Sequence, residues 1–367
     1  MINLLNNFKK IKYIVRKHKK IFFSILLLIA TAITYLIIKM LKAYICIYIL
    51  DGGLGNQMYM YAYSYAFEKE TGQKVLYDLT YFDYTKNKHE FNAIPKYFNI
   101  DLPLATKKDI KMALKHKPII ITKTRHKNIF LGGERIPISK KTKKIEFNGK
   151  KYKVKLRHIN SGHYENNRLT KYIKYNNAFI ITMPASELFF KKYRADLLKK
   201  FTLREELDAI NKKMLAKIKS HKNSVAIHIR RGDYVNHKVF GGVCDKEYFE
   251  EAMKKFIGLE DIHFFVFSND INWVKENIKF PAPYTFVNIN DEENGYKDMW
   301  LMKNCSHNII PNSTFSWWGA WLNENPNKIV IAPKCWFKSC KKNDRIPEEW
   351  IKIDNSVYFK FDDIKNK

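Results

Sequence analysis

Glycine and proline are scarce in this chain of 367 residues, at 14 and 11, which argues against a collagen-like or low-complexity polymer. Cysteine is scarcer still. The five, Cys46, Cys244, Cys305, Cys335 and Cys340, are odd in number and form no C-x-x-C or His/Cys ligand pattern. That argues against a structural metal, and the thiols suit a reducing compartment. No D-x-D follows any predicted strand, so no acidic pair there invites a divalent cation. No basic recognition helix or nucleic-acid motif accompanies the formal charge of +30, which argues against nucleic acid as partner.

What is present is an apolar fraction of 46%, with 15% aromatic, enough for two ordinary domains. The charge is unevenly placed. Residues 1–50 hold nine Lys and Arg and no Asp or Glu, leaving 57 basic against 36 acidic residues, or +21, on the rest. Scattered lysines make up that excess, a surface that suits a phosphorylated substrate and an anionic membrane. Ile21–Ile38 is an uncharged run of 18 residues behind seven basic ones, Lys9, Lys10, Lys12, Arg16, Lys17, Lys19 and Lys20. As a helix it would span about 27 Å at ~1.5 Å per residue, against a bilayer core of roughly 30 Å. It is long for a signal peptide and has no small-x-small site before Lys39. The expectation is a basic segment at 1–20 and a membrane helix, transmembrane or interfacial, at 21–38. Which side of the membrane carries the rest stays open: the cytoplasmic face in a bacterium, the Golgi lumen in a eukaryote.

Beyond it, strands alternate with helices, which predicts an α/β fold with parallel sheets. Ala43–Leu50 reads as a buried strand, followed by the loop Asp51–Gln57 and the helix Met58–Thr71, closed by Gly72. Lys74–Asp78 is a second strand. Residues 100–160 are Lys-rich and poorly periodic and read as insertions, with a hairpin through Lys144–Val154 turning at Asn148-Gly149. After a charged helix at Arg204–Ser220 the pattern restarts. Strands are predicted at Ser224–Ile229, His263–Phe267, Tyr284–Val287, His307–Ile310 and Ile329–Ala332. Helices at Lys246–Ile257, Ile271–Ile278, Gly295–Asn304 and Phe315–Asn323 lie between them. Two Rossmann-like domains are expected, 43–200 and 201–367, facing a cleft near residue 200.

Three stretches carry candidate chemistry. Asp51-Gly52-Gly53-Leu54-Gly55-Asn56-Gln57-Met58 sits at a strand-to-helix turn, where glycines let backbone N–H groups approach an anion. A dinucleotide fingerprint would need glycine where Met58 stands, although Asp78 ends the next strand as such a site would ask. A tight turn without a ligand is the plainer reading, but it does not ask for the two amides Asn56 and Gln57. In His228-Ile229-Arg230-Arg231-Gly232-Asp233-Tyr234, alternation points His228 and Arg230 the same way at the carboxyl end of a strand. A guanidinium there can grip a pyrophosphate through two parallel hydrogen bonds. The plain alternative is an ion pair of Arg231 with Asp233, and both readings can hold. In Asn312-Ser313-Thr314-Phe315-Ser316-Trp317-Trp318-Gly319-Ala320-Trp321, the hydroxyls start a helix and make an anion seat, while the Trp pair reads as core.

Together the runs GGLGNQM, HIRRGDY, VFSND and NSTFSWWGAW, in that order and spacing, resemble glycosyltransferase family 11, the galactoside α-1,2-fucosyltransferases. The likeness covers about Tyr44 to Ile353. It implies a GT-B fold of two Rossmann-like domains, GDP-fucose as donor, a galactose-terminated oligosaccharide as acceptor, and inversion without a metal or other cofactor. By position, Arg230 corresponds to the pyrophosphate arginine, with His228 and Arg231 shaping its loop. Ser313, Thr314 and Ser316 correspond to further phosphate contacts, and Asn269 and Asp270 to guanosine contacts. Gly53, Gly55, Asn56 and Gln57 would face the donor from the other domain. The family's aromatic mid-chain stretch departs here to Ser161-Gly162-His163-Tyr164-Glu165-Asn166, so the acceptor contacts fall on His163, Tyr164 and Glu165. Candidate bases for the acceptor hydroxyl are Asp233, Glu165 and His163, with Asp233 favoured. Rival readings are a fucosyltransferase of different linkage, a nicotinamide oxidoreductase on the Gly53/Asp78 loop, and a membrane-anchored sugar-binding protein without activity.

Overall fold

Two parallel sheets carry the chain, as the alternation predicts. The computed structural model describes residues 19–41, 44–87, 90–122, 127–158, 164, 168–341 and 344–358. Strands β1 (Cys46–Ile49), β2 (Val75–Asp78), β3 (Ile119–Thr122), β8 (Lys155–His158) and β9 (Ala178–Ile181) form the first sheet, in the order β2-β1-β9-β3-β8. Two antiparallel hairpins lie within this half: β4 (Asn128–Leu131) with β5 (Glu134–Pro137), and β6 (Lys144–Phe147) with β7 (Lys150–Lys153). The second sheet takes β10 (Asn223–Ile229), β11 (Ile262–Ser268), β12 (Tyr284–Phe286), β13 (His307–Ile309), β14 (Val330–Pro333) and β15 (Ile351–Ile353), in the order β12-β11-β10-β13-β14-β15.

Helices in chain order are α1 (Lys19–Leu41), α2 (Leu54–Thr71), α3 (Ile94–Tyr97), α4 (Lys107–Lys115), α5 (Arg168–Ile173), α6 (Arg194–Lys200), α7 (Ala209–Lys219), α8 (Lys246–Lys254), α9 (Ile271–Asn277), α10 (Gly295–Lys303) and α11 (Thr314–Leu322). Strands such as β1, β9 and β14 are buried at every residue because both faces of a parallel sheet are covered. Gly72 closes α2 in the left-handed region at φ 67°, as expected of a C-cap. Asn148 and Gly149 both have positive φ, 50° and 69°, the turn that a two-residue hairpin favours.

The structure departs from the sequence reading in three places. Residues 100–160 are more than insertions, since β3 and β8 supply two strands of the first sheet. Helix α7 starts at Ala209, not Arg204, because the Asp208 carboxylate accepts from Asn211 N at 2.9 Å and caps it there. Helix α2 starts at Leu54, so Asn56 and Gln57 lie in its first turn and not in a loop.

Helix α1 covers the segment expected at the membrane. Residues 1–18, and the side chains at 19, 20, 22 and 34–41, lie outside the described residues. Among the described residues no helix is long and apolar enough to cross a membrane. Ile21, Leu27 and Leu28 of α1 are 58%, 66% and 68% exposed.

One core layer belongs to both halves. Trp317, Trp318 and Trp321 of α11 are buried in the same cluster as Tyr59 and Tyr63 of α2 and Phe190. The Trp pair is core, as read from the sequence, and each indole N–H is satisfied. Trp317 donates to the Arg345 carbonyl at 2.8 Å, Trp318 to that of Gly55 at 2.9 Å, and Trp321 to the Glu187 carboxylate at 3.0 Å. Cys335 and Cys340 form a disulfide with Cα atoms 4.6 Å apart, so these two are not the free thiols the sequence suggested. Cys46, Cys244 and Cys305 are free, and burial pushes each thiol above its usual range.

Candidate functional site

The order of the second sheet locates a crevice. From β10 the chain moves outward through β11 to β12, then returns to place β13 on the other side of β10. Ligands of open α/β sheets bind beyond the carboxyl ends of the strands at such a reversal. The loops there are 230–234, after β10, and 310–313, after β13.

Arg230 is the first residue past β10. Its guanidinium donates to Asp233 Oδ1 at 2.6 Å and lies 5.5 Å from the Tyr234 ring, with 29% of the side chain exposed. The plain alternative, an ion pair of Arg231 with Asp233, is not what forms, because Asp233 pairs with Arg230. Arg231 stacks on Trp273 at 3.6 Å and pairs with Asp270 at 3.3 Å. Gly232, at φ 50°, turns the chain so sharply that a Cβ would meet the Asn269 amide at 2.4 Å. Asn269 accepts from the Arg231 backbone N–H at 2.8 Å, and Asp270 caps α9 by accepting from Trp273 N at 3.2 Å. These two expected guanosine contacts therefore brace the arginine loop.

His228 is buried, its ring 5.6 Å from that of Phe315. Its Nδ1 is buried without a hydrogen-bond partner. Burial, with Arg230 adding to it, pushes the imidazole down to about 3, so it is neutral near pH 7.

Across the crevice, α11 begins with Ser313 at its N-cap, buried, and with no side-chain capping bond. Trp317 N bonds the Ser313 carbonyl at 3.1 Å, and the N–H groups before it have no place in the helical ladder. An uncapped helix start is an anion seat. Ser316 is fully buried, and its hydroxyl donates to the Ser313 carbonyl at 3.4 Å. Thr314 Oγ1 donates to Asn56 Oδ1 at 3.0 Å.

That bond brings the glycine-rich turn of the first half to the same place. Gly53 caps α2 through its backbone. Gly55 does not stand clear to approach a ligand, because a Cβ there would lie 2.7 Å from the Thr314 carbonyl carbon. Gln57 is fully buried, donating to the carbonyls of Gly52 and Phe91, each at 2.7 Å, and accepting from Ala93 N at 3.0 Å. Asp78 is likewise engaged, accepting from Thr80 N at 3.0 Å and Gly132 N at 2.7 Å, which leaves a nicotinamide ribose no free carboxylate.

His163 and Glu165 lie outside the described residues. Tyr164 sits edge-on to Phe189 at 5.0 Å, and its backbone N–H donates to Asp344 at 2.9 Å. It is not joined to the arginine loop by any of these contacts. Among the described residues no group of three His, Cys, Asp or Glu could hold a metal ion. Two residues escaped the sequence reading. Asn312 anchors the helix start by donating to the carbonyls of Phe240 and Trp336, each at 3.1 Å, and Trp273 supports Arg231. Asn312 stood inside a motif already singled out, and its burial was the missing signal.

Comparison with known proteins places these features in a group. The model of "Glycosyl transferase family 11" matches residues 44–354. O-antigen biosynthesis glycosyltransferase WbnK of Escherichia coli is 30% identical over 326 residues, covering 83% of this chain and 99% of that protein. An alpha-1,2-colitosyltransferase of Escherichia coli is 33% identical over 318 residues, covering 83% and 97%. The human galactoside alpha-(1,2)-fucosyltransferase 1 is 31% identical over 186 residues, covering 47% and 51%.

Proposed function

This chain belongs to glycosyl transferase family 11, and from that premise we propose that it moves L-fucose from GDP-fucose to the 2-hydroxyl of a terminal galactose. In this reading the two halves are the two domains of a GT-B enzyme, and the reaction inverts the sugar without a metal. The observation that carries it is that Arg230 and the uncapped start of α11 follow β10 and β13, the neighbouring strands at which the sheet order reverses. As the C1–O bond of fucose breaks through an oxocarbenium-like transition state, negative charge grows on the leaving phosphate. A guanidinium and free helix N–H groups are preorganised to meet that charge.

The Arg230–Asp233 pair fits a proton path. When the pyrophosphate takes Arg230, the Asp233 carboxylate is released from its 2.6 Å bond. It then accepts the proton of the acceptor hydroxyl as the new C1–O bond forms.

Mass spectrometry and linkage analysis of products from GDP-fucose with lactose and with type 1 and type 2 disaccharides test the reading. Transfer to a hydroxyl other than the 2-hydroxyl of galactose would replace it. The resemblance to a colitosyltransferase favours one second reading, transfer of a colitosyl group by the same residues. Running the assay with fucosyl and colitosyl donors side by side separates the two. Thermal shift with GDP and with NAD separates both from an oxidoreductase or a non-enzymatic sugar binder. Attachment to a lipid surface through the exposed apolar side chains of α1 completes the reading, and flotation with anionic vesicles, with and without residues 1–41, tests it.

A further inference from the structure

The first sheet has its own strand reversal. From β1 the chain moves outward to β2, while β9 and β3 lie on the other side of β1. Beyond the carboxyl ends of β1 and β9, at Ile49 and Ile181, a cavity of about 360 Å³ opens, a size that accommodates a small ligand. Its inner edge is Asp51, in the turn that leads to Asn56 and so to the start of α11. Its outer wall is the β4–β5 hairpin.

The lining combines three kinds of group. Tyr81 and Phe130 present aromatic surface, held by an edge contact at 5.6 Å and by the stacking of Tyr84 on Phe130 at 4.9 Å. Tyr84 is fixed in turn by its hydroxyl, which donates to the Gly133 carbonyl. Asn128 adds an amide of the kind that sugar hydroxyls use, and Asp51 completes the lining. Lys127 and Arg135 place two exposed cations on the outer wall. The stretch that forms this wall, residues 127–144, holds six Lys and Arg and a single acid, Glu134. That acid is spent elsewhere, accepting from Asn148 N at 3.0 Å. The cavity is therefore sugar-like in its platform and positive at its outer end.

We infer that this cavity binds an acidic sugar residue of the acceptor glycan, its carboxylate held by Arg135 and Lys127 on the hairpin. The inference rests on the transferase reading above for the word acceptor, but the binding site stands on its own. The sugar's inner end faces Asp51 and the turn that touches α11, and its charged end faces the hairpin. An Arg fork suits a planar carboxylate, with Lys127 as a second point charge.

The test uses the full chain with a galactosyl-glucuronic acid disaccharide and with lactose as its neutral match. Saturation-transfer NMR without donor reports binding, and turnover with GDP-fucose reports KM for each acceptor. The acidic disaccharide is expected to bind about tenfold more tightly, as one charge-assisted contact allows. In Arg135→Gln that preference disappears, while the KM for GDP-fucose and for lactose stays unchanged. Both positions are exposed, and Lys127→Gln provides a second variant, expected to halve the preference or more. Equal binding of the two disaccharides by the unaltered protein would overturn the inference, as would a preference that survives both substitutions together. If the binding preference holds but no fucose is transferred to either acceptor, the cavity's assignment stands and the fucosyl reading falls.

Discussion

The indole N–H of Trp318 donates to the carbonyl of Gly55 at 2.9 Å, joining residues 263 positions apart. Beside that bond the two helices approach backbone to backbone, with only hydrogen on Gly55 facing Thr314. A methyl group would meet main-chain atoms that cannot swing aside. Gly55→Ala is therefore expected to push α2 and α11 apart and cost about 1–3 kcal/mol as overpacking does. Thermal denaturation should show a fall of several degrees, with turnover reduced through the displaced helix start. An unchanged melting temperature would mean that the helices are not held at this distance.

Arg230→Lys keeps the charge and loses the fork. Losing a preorganised contact to developing charge costs about 2.7–4 kcal/mol, or roughly 10²–10³-fold in rate. The loss should fall on kcat more than on donor KM, because the charge develops in the transition state. Arg231→Lys should behave differently. It removes the stack on Trp273 and loosens Asp270, so its effect should appear in donor KM and in stability. Steady-state kinetics on both variants, with circular dichroism to confirm folding, decide it. A folded Arg230→Lys protein within threefold of the parent takes Arg230 out of the mechanism.

His228 gives a prediction in pH. Its folded-state value, about 3, lies below the ~6.5 of an unfolded chain. As pH falls below ~6.5 the unfolded chain takes up a proton that the folded one refuses, so this contribution to stability is present above ~6.5 and is lost as pH falls toward 3. His228→Asn should flatten part of the decline in melting temperature between pH 7 and 4. Parallel curves for the two proteins would contradict the burial assigned to this imidazole.

Excess chelator should leave turnover unchanged, because Arg230 and the start of α11 are proposed to supply the cationic work. A fall to background in EDTA, restored by manganese, would sink that proposal.

Much of the fold was legible because its signals are local. Buried runs such as Ser224–Ile229, the Gly72 cap and the Asn148-Gly149 turn each announce themselves within a few residues. Ile119–Thr122 did not, since three isoleucines and a threonine amid lysines carry no period that separates strand from helix. The motifs were legible as motifs, but their wiring was not. Whether Arg230 or Arg231 meets Asp233 is set by the turn after β10, and at Arg231 the backbone adopts φ −122°, ψ −121°. The neighbour that requires glycine at position 55 is Thr314, from the far half of the chain. Alternation along a strand carries no information about either.

Helix α11 is held at its carboxyl end as firmly as at its start. Arg194 donates to the carbonyls of Trp321 and Asn323 at 2.9 and 3.0 Å, and Lys328 reaches those of Ala320 and Asn323, each at 2.8 Å. Elsewhere Tyr97 stacks on Tyr296 at 4.0 Å and donates to the Glu293 carbonyl at 2.6 Å. A helix clamped in this way is a rivet, not a hinge pin. Swinging one half away from the other would tear out the helix start proposed as the seat of the leaving phosphate. Substrates must then enter and products depart by rearrangement of rim loops and side chains, at constant molecular envelope. Small-angle scattering profiles of the free and GDP-saturated protein should superimpose, and a contraction on adding GDP would show that the rivet gives.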